Sequence, residues 1–265
     1  MRRIRWSYLA VALVVLIGLY FVCDIVMLRY IESRGAAQLA QTLDAESATA
    51  DLGGVPFIPS FVSGRLYTVS GRVNGASAPG GLRIDKVGID LSDVRFSPRH
   101  LLSLARSRFS ARTDVKAGQV LVSLQITERD VHDYLVSKIS SVQGVRITSS
   151  GVAVSFNVPA PASTFVVPAP SPTPAPGETP KPPPPPPPST ARFLPRVQDG
   201  VFQFVLVSTI NVAPRLRGDA AQIAELVRLP RLPGRLRSDV RVGDGVIVVE
   251  ATGRDVEMNV GEAQR

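Results

Sequence analysis

The chain has 265 residues, a formal net charge of +8 and a single cysteine, Cys23. One cysteine excludes intrachain disulfides and cysteine-based metal sites, and His100 and His132 are too few to predict a metal site from spacing. Without an N-terminal apolar stretch and a proline-rich stretch, about 200 residues remain, enough for one well-packed core. The sequence therefore predicts one domain without metal or cofactor.

The first long apolar stretch decides which solvent the rest of the chain meets. Tyr8 to Leu28 in one helix rises ~31 Å, against a hydrocarbon core of roughly 30 Å. The three arginines before it have no acidic neighbour, so the positive-inside rule keeps the N-terminus in the cytoplasm. We predict a cytoplasmic tail over residues 1–5, a single-pass transmembrane anchor over residues 6–28 and an extracytoplasmic remainder. A cleaved signal peptide is the alternative.

Asp24 is the one acidic residue within the predicted span. It lies near the outer end, where we expect its carboxylate to reach water or lipid head groups. Beyond it, Ile31, Leu39 and Leu43 recur at helical spacing. This spacing predicts that the helix runs on to about residue 44, either unbroken or interrupted at Gly35.

A short apolar segment follows in which Pro56 and Pro59 exclude a regular helix or a central strand. The side chains of Phe57, Ile58 and Phe61 therefore lie on an irregular segment. They form either a plug in the core or an exposed tip that seeks lipid.

Most of the remaining chain shows the two-residue alternation typical of strands. Between residues 82 and 96 the alternation slips twice by one residue, which predicts bulges and a curved sheet. Thr127-Glu-Arg-Asp130 predicts a capped helix start, with aspartate where glutamate is usual. Strands with a few helices give the fold class α+β.

Residues 159–190 differ in composition, with seven consecutive prolines at 182–188. Such a segment cannot build a core and favours extended polyproline II. We predict one extracytoplasmic domain from residues 29–158 and 191–260, interrupted by a disordered proline-rich insertion. The insertion is either a tolerated loop or a ligand for a proline-recognising or cell-wall partner, which would make the protein an envelope scaffold or adaptor.

The sequence contains no nucleophile elbow, phosphate-binding loop or metal motif. The best catalytic candidate is the helix start with Glu128, Asp130, His132 and Asp133. Electrostatics in the first helical turn explain Glu128 and Asp130 without catalysis. We therefore predict that no residue is catalytic and that the protein is not an enzyme.

Six short segments, in their order and spacing, resemble the LmeA-like phospholipid-binding family of actinobacterial cell envelopes over roughly residues 36–258, apart from the insertion. They are Gly54-Val-Pro-Phe-Ile58, Gly64-Arg65, Leu91-Ser-Asp-Val94, Ile126-Thr-Glu-Arg-Asp130 with Leu135, Leu229-Pro-Arg-Leu-Pro233 and Gly253-Arg-Asp-Val256. The chain departs from the family at Leu66, where an aromatic residue is expected, at Gly234 and in the insertion.

The resemblance implies a long curved antiparallel sheet wrapped around a helix, similar to tubular lipid-binding modules, and phospholipid binding for lipid transfer or envelope maintenance. An apolar trough between sheet and helix would hold acyl chains, and each buried methylene favours binding by ~0.8 kcal/mol. The candidate lipid-contacting residues are Ile31, Leu39, Leu43, Phe57, Ile58, Phe61, Leu101, Leu102, Leu135, Phe202 and Phe204.

Two basic stretches supply candidates for contact with phospholipid head groups. Residues 95–116 and residues 192–237 each carry a net charge of +5, and the guanidinium fork suits phosphate. If these stretches flank the trough, the head-group candidates are Arg95, Arg99, Arg106, Arg215 and Arg217; the alternative is a dispersed, solvated surface. The expected partners are phospholipid and membrane, not nucleic acid.

Overall fold

The computed structural model describes residues 3–54, 56–78, 80–97, 113–157, 189–198, 201–212, 214, 216–227 and 236–260. The predicted fold class is confirmed: an N-terminal apolar helix is followed by an α+β body with two antiparallel sheets. Some predictions lie outside the described residues, namely those for Arg99, Leu101, Leu102, Arg106, Arg215 and residues 159–188.

The described residues form four helices and ten strands. In chain order they are α1 (Arg3–Thr42), β1 (Ser47–Asp51), α2 (Phe57–Val62), β2 (Arg65–Ser77), β3 (Arg83–Arg95), β4 (Thr113–Thr127), α3 (Glu128–Lys138), β5 (Val142–Thr148), β6 (Gly151–Phe156), β7 (Ser189–Gln198), β8 (Val201–Ile210), α4 (Leu216–Leu226), β9 (Arg237–Gly243) and β10 (Val246–Val260).

The helix α1 is continuous over 40 residues and is not interrupted at Gly35. Its Leu13–Thr42 part is long and apolar enough to cross a membrane, a criterion that a signal sequence also meets. Side chains from Leu13 to Cys23 are exposed, whereas one side of the helix packs against the body from Asp24 onwards. Gly35 lies beside Ala50 of β1, so packing against a strand offsets the helix penalty of glycine, ~1 kcal/mol.

The first sheet has six strands in the order β1-β2-β3-β4-β10-β9, and the second has four in the order β5-β6-β7-β8. All of their pairings are antiparallel. Among the described strands neither sheet closes into a barrel, since β1 and β9 are edges of the first sheet and β5 and β8 are edges of the second. The helix α1 crosses the first sheet, where Leu39 approaches Gly71 of β2.

A row of four residues crosses the long strands of the first sheet. The register places Tyr67 opposite Asp93, Asp93 opposite Gly118, and Gly118 opposite Asp255. Both aspartates adopt a left-handed backbone, with φ of 48° and 51°. In each of the four strands that the row crosses, the alternation of inward and outward side chains shifts by one residue at this level. In β3, for example, the inward residue after Leu91 is Val94 and not residue 93.

The prediction of bulges between residues 82 and 96 is therefore wrong. The register of β3 with β2 and β4 is constant along its length. The parity changes occur at the same level in neighbouring strands, at the Asp93 row and again where Gly75 of β2, with φ of 66°, lies opposite Asp85. Because the strands change phase together, no residue is left over between them.

The larger apolar cluster, which we call the distal cluster, joins the first sheet to the second sheet, α3 and α4. Its centre includes Leu135 of α3, Ile223 of α4 and Ile247 of β10, each with no exposed surface. The predicted capping box is confirmed at α3, where the side chain of Thr127 accepts from the amide of Asp130 and Asp130 accepts from the amide of Thr127.

A valine in place of Asp93 should destabilise the fold, because a β-branched residue is strained in the left-handed conformation by about 1–2 kcal/mol. Asp93→Asn removes the same charge but tolerates that conformation, so it is the matched control. Urea unfolding of the detergent-solubilised protein, followed by circular dichroism, should give a lower midpoint for Asp93→Val than for Asp93→Asn. Equal midpoints would contradict the assignment of backbone strain at this row.

Candidate lipid-contacting site

A second apolar cluster lies at the end of the first sheet where α1 enters the body, and we call it the anchor-side cluster. Its six buried members are Phe57, Leu66, Val94, Ala117, Val120 and Val256. Eleven partly buried side chains pack against them: Leu28, Ile31, Leu52, Ile58, Phe61, Val69, Leu91, Phe96, Val115, Val122 and Leu236.

The two clusters differ in how completely the protein covers them. Among the described residues, the distal cluster has 28 buried members and 10 partly buried ones. In the anchor-side cluster the proportion is reversed, with 6 buried and 11 partly buried. The second sheet, α3 and α4 lie over the distal cluster only. The anchor-side cluster is therefore an apolar surface that the described residues cover incompletely.

Three phenylalanines hold α2 against the sheet. The ring centroids of Phe57 and Phe61 lie 5.5 Å apart, and Phe61 lies at the same distance from Phe96 at the end of β3. Phe57 is fully buried, whereas Ile58 and Phe61 are half-buried and Val62 is exposed. The segment thus combines the two alternatives from the sequence: Phe57 is a core plug, and the rest of α2 is an apolar tip.

The expectation that Pro56 and Pro59 exclude a helix here is wrong, because α2 begins at Phe57. Pro56 is the N-cap residue and Pro59 lies in the first turn. The first amides of a helix have no intrahelical acceptor, so a proline at this position removes no hydrogen bond.

Asp24 of α1 provides acceptors for the start of α2. Its Oδ2 accepts from the amide of Phe57 at 2.8 Å, and its Oδ1 accepts from the amide of Ile58 at 2.6 Å. The carboxylate is fully buried, so the expectation that it reaches water or head groups is wrong. Two donors satisfy the charge inside the protein and join α1 to α2.

Three cations lie side by side at this end of the sheet. The register aligns Arg65 of β2 with Arg95 of β3, and Arg95 with Lys116 of β4. Arg95 binds Asp93 at 2.8 Å, and Lys116 binds Glu257 at 2.5 Å.

These ion pairs shift the pKa values of both carboxyls. The hydrogen bond from Arg95 lowers the pKa of Asp93, and that from Lys116 lowers the pKa of Glu257. The three cations and their two carboxylate partners therefore form a solvated group of charges of both signs next to the anchor-side cluster.

The structure brings only some of the predicted lipid-contacting residues together. Ile31, Phe57, Ile58 and Phe61 belong to the anchor-side cluster. Leu39 and Leu43 are partly buried at the border of the distal cluster, and Leu135, Phe202 and Phe204 are buried inside it. Among the described head-group candidates, Arg95 lies near the anchor-side cluster, whereas Arg217 is in α4. Lipid contact by these residues stays a prediction.

The candidate lipid-contacting residues chosen from the sequence leave out several members of the anchor-side cluster. Leu28 continues the apolar stripe of Ile31, and that spacing alone identifies it. Val94 and Val256 follow Asp93 and Asp255 in two of the segments that carry the family resemblance. The left-handed backbone of the two aspartates turns these valines inward. The slip in alternation before Val94 signals the change of phase in β3, but its interpretation as a bulge is wrong.

The outer face of the first sheet carries two open hollows. One, of about 640 Å³, is lined by Asp90, Ser92, Gln119, Val120, Leu121, Arg237, Thr252, Gly253 and Arg254. The other, of about 250 Å³, lies around Arg72, Lys86 and Gln125. Both contain charged side chains, Arg237 and Arg254 in the first hollow and Arg72 and Lys86 in the second. We therefore place the candidate acyl-chain site at the anchor-side cluster instead.

Replacing Asp24 with alanine should release α2, because a hydrogen bond to a charged group contributes about 1.5–3 kcal/mol and two are lost. Hydrogen exchange of the Phe57 and Ile58 amides should accelerate in the detergent-solubilised protein. Glu32→Ala is the matched control, since Glu32 Oε1 accepts from the amide of Leu52 at 3.0 Å, and Leu52 lies outside α2. Unchanged exchange at Phe57 and Ile58 in Asp24→Ala would contradict the proposed junction.

Comparison with known proteins identifies the family. No curated protein and no solved structure matches the chain. A family model described as LmeA-like phospholipid-binding matches residues 24–252. The match begins at Asp24, includes all described members of both apolar clusters except Val256, and covers well over half of the sequence. The chain therefore belongs to the LmeA-like phospholipid-binding family.

Proposed function

We propose that this protein is a membrane-anchored, extracytoplasmic phospholipid-binding protein that serves lipid transfer or cell-envelope maintenance. Family membership supports phospholipid binding. The observation that carries the proposal is the anchor-side cluster, an apolar surface that the described residues leave partly uncovered where the apolar helix α1 enters the body.

The physical driving force is the removal of apolar surface from water. Half-buried side chains such as Ile58, Phe61 and Phe96 leave area that an acyl chain can cover, at ~0.8 kcal/mol per buried methylene. Arg65 and Arg95 lie at the same end of the sheet, and a guanidinium can bind a phosphate oxygen pair. An amphiphile with an anionic head and apolar tails fits both features.

The proposed function needs no catalytic step. The acidic side chains at the start of α3 have structural contacts: Glu128 Oε2 accepts from the amide of Ile147 at 2.7 Å, and Asp130 caps the helix. His132 Nδ1 lies 3.2 Å from Asp133 Oδ1 on an exposed face. These contacts favour a structural role for the helix that sequence analysis named as the best catalytic candidate.

Native mass spectrometry of the detergent-extracted full-length protein should detect bound phospholipid. Phe61→Asp should abolish most of the lipid adduct, because a carboxylate in an apolar site is costly to bury. Val207→Asp is the matched control, since it places the same charge on an exposed apolar position of β8 and should leave the adduct unchanged. A wild-type protein that carries no phospholipid and takes none from vesicles would refute the proposal.

Deleting the proline-rich insertion should leave phospholipid binding intact. The strands on either side of it pair directly, with Phe156 opposite Ser189, so a short glycine-containing turn in place of residues 159–188 can join them. The lipid adduct is again measured by native mass spectrometry. Loss of binding in a folded deletion variant would instead favour a function that acts through the insertion, as in the scaffold or adaptor alternative.

A further inference from the structure

The depth of Asp24 along α1 indicates where α2 lies relative to a bilayer. If Tyr8 to Leu28 crosses the hydrocarbon core, Asp24 lies four residues before its outer end, about 6 Å inside at the helical rise per residue. Because Asp24 accepts from the amides of Phe57 and Ile58, the start of α2 lies at the same depth. A spanning α1 therefore carries α2 into the membrane interface.

The composition of the segment around α2 suits this environment. No residue from Leu52 to Gly64 is charged, and Arg65 follows immediately. The hydroxyls of Ser60 and Ser63 are hydrogen-bonded within the segment. Ser60 donates to the carbonyl of Pro56 at 3.0 Å, and Ser63 donates to the carbonyl of Ser60 at 2.8 Å. Polar groups that are satisfied internally cost little in an apolar phase.

Exposed apolar side chains occur on both α2 and the neighbouring part of α1. Val62 is 69% exposed at the end of α2, and Val26 is 63% exposed on α1. The neighbouring Ile25 and Met27 are also exposed. The buried Asp24 carboxylate joins the two helices, so among the described residues exposed apolar side chains are found on both sides of this junction.

We propose that α2 is embedded in the outer leaflet beside α1, so that a phospholipid surface is the docking partner of this end of the body. The domain is then seated on the membrane by two helices. On the proposed lipid-binding function, an acyl chain reaches the anchor-side cluster sideways from the leaflet without crossing water. An interfacial helix of this kind buries its apolar face at the boundary between head groups and acyl chains.

The test uses the full-length protein with Cys23→Ser, reconstituted in phosphatidylcholine and phosphatidylglycerol vesicles. An environment-sensitive fluorophore is attached through Val62→Cys or, as matched control, through Val207→Cys on β8, where the valine is 62% exposed. A quencher on the upper acyl chain should quench the probe at 62 several-fold more than the probe at 207. Adding Asp24→Ala should reduce that difference.

Equal and aqueous behaviour of the two probes would overturn the proposal. If the labelled variants fail to fold, wild-type protein in vesicles with a photoactivatable acyl chain decides: crosslinks should map to residues 57–62 and not to 201–210, and the reverse refutes docking. Native mass spectrometry of the same protein separates the two claims. If phospholipid is bound but the probe at position 62 is in water, docking of α2 on the membrane is refuted and phospholipid binding is not. If the probe at position 62 is embedded in lipid but no phospholipid is bound, the proposed binding function is refuted and docking is not.

Discussion

The hydrogen bonds from Phe57 and Ile58 to the Asp24 carboxylate are the contacts on which the arrangement of this protein depends. They occur where α1 passes from an unpartnered apolar helix to one packed against a sheet. A buried carboxylate without donors would be strongly unfavourable. The helix α2 must therefore stay at this level of α1, and with it the aromatic contacts that close one side of the anchor-side cluster.

The unequal cover of the two apolar clusters follows from the topology. The described elements between β4 and β9, namely α3, the second sheet and α4, pack against the distal cluster. The chain then returns at Leu236, which packs against the anchor-side cluster, and enters β9 at Arg237. At the anchor end the described chain supplies α1 and the six-residue α2, which leave more apolar side chains partly buried than buried. Among the described residues, the cover of the first sheet is thus more complete at the distal end than at the anchor end.

Because of the row formed by Tyr67, Asp93, Gly118 and Asp255, the strands β2, β3, β4 and β10 contribute inward side chains to both the distal and the anchor-side cluster. A regular strand would send Val94 and Val256 to the outer face if Leu91 and Ala251 face inward. Left-handed aspartates change the parity, and because the neighbours change at the same level the ladder keeps its register. Gly118 between them accommodates the approach of Asp93, whose Cβ lies 3.1 Å from where a glycine Cβ would be.

The apolar N-terminal helix, the α+β class and the capped start of α3 are predictable from the sequence alone, whereas the sequence leaves continuity of the helix at Gly35 open. These three features follow from local rules of length, periodicity and capping. The sequence also indicated Ile31, Phe57, Ile58 and Phe61 as apolar residues in need of a partner. Local patterns do not distinguish which of the candidates lie together, because Leu135, Phe202 and Phe204 are equally apolar but belong to the distal cluster. Long-range packing sets this arrangement. It alone decided the burial of Asp24 as well, because the donors come from residues more than thirty positions later in the chain, and no local pattern specifies such a contact.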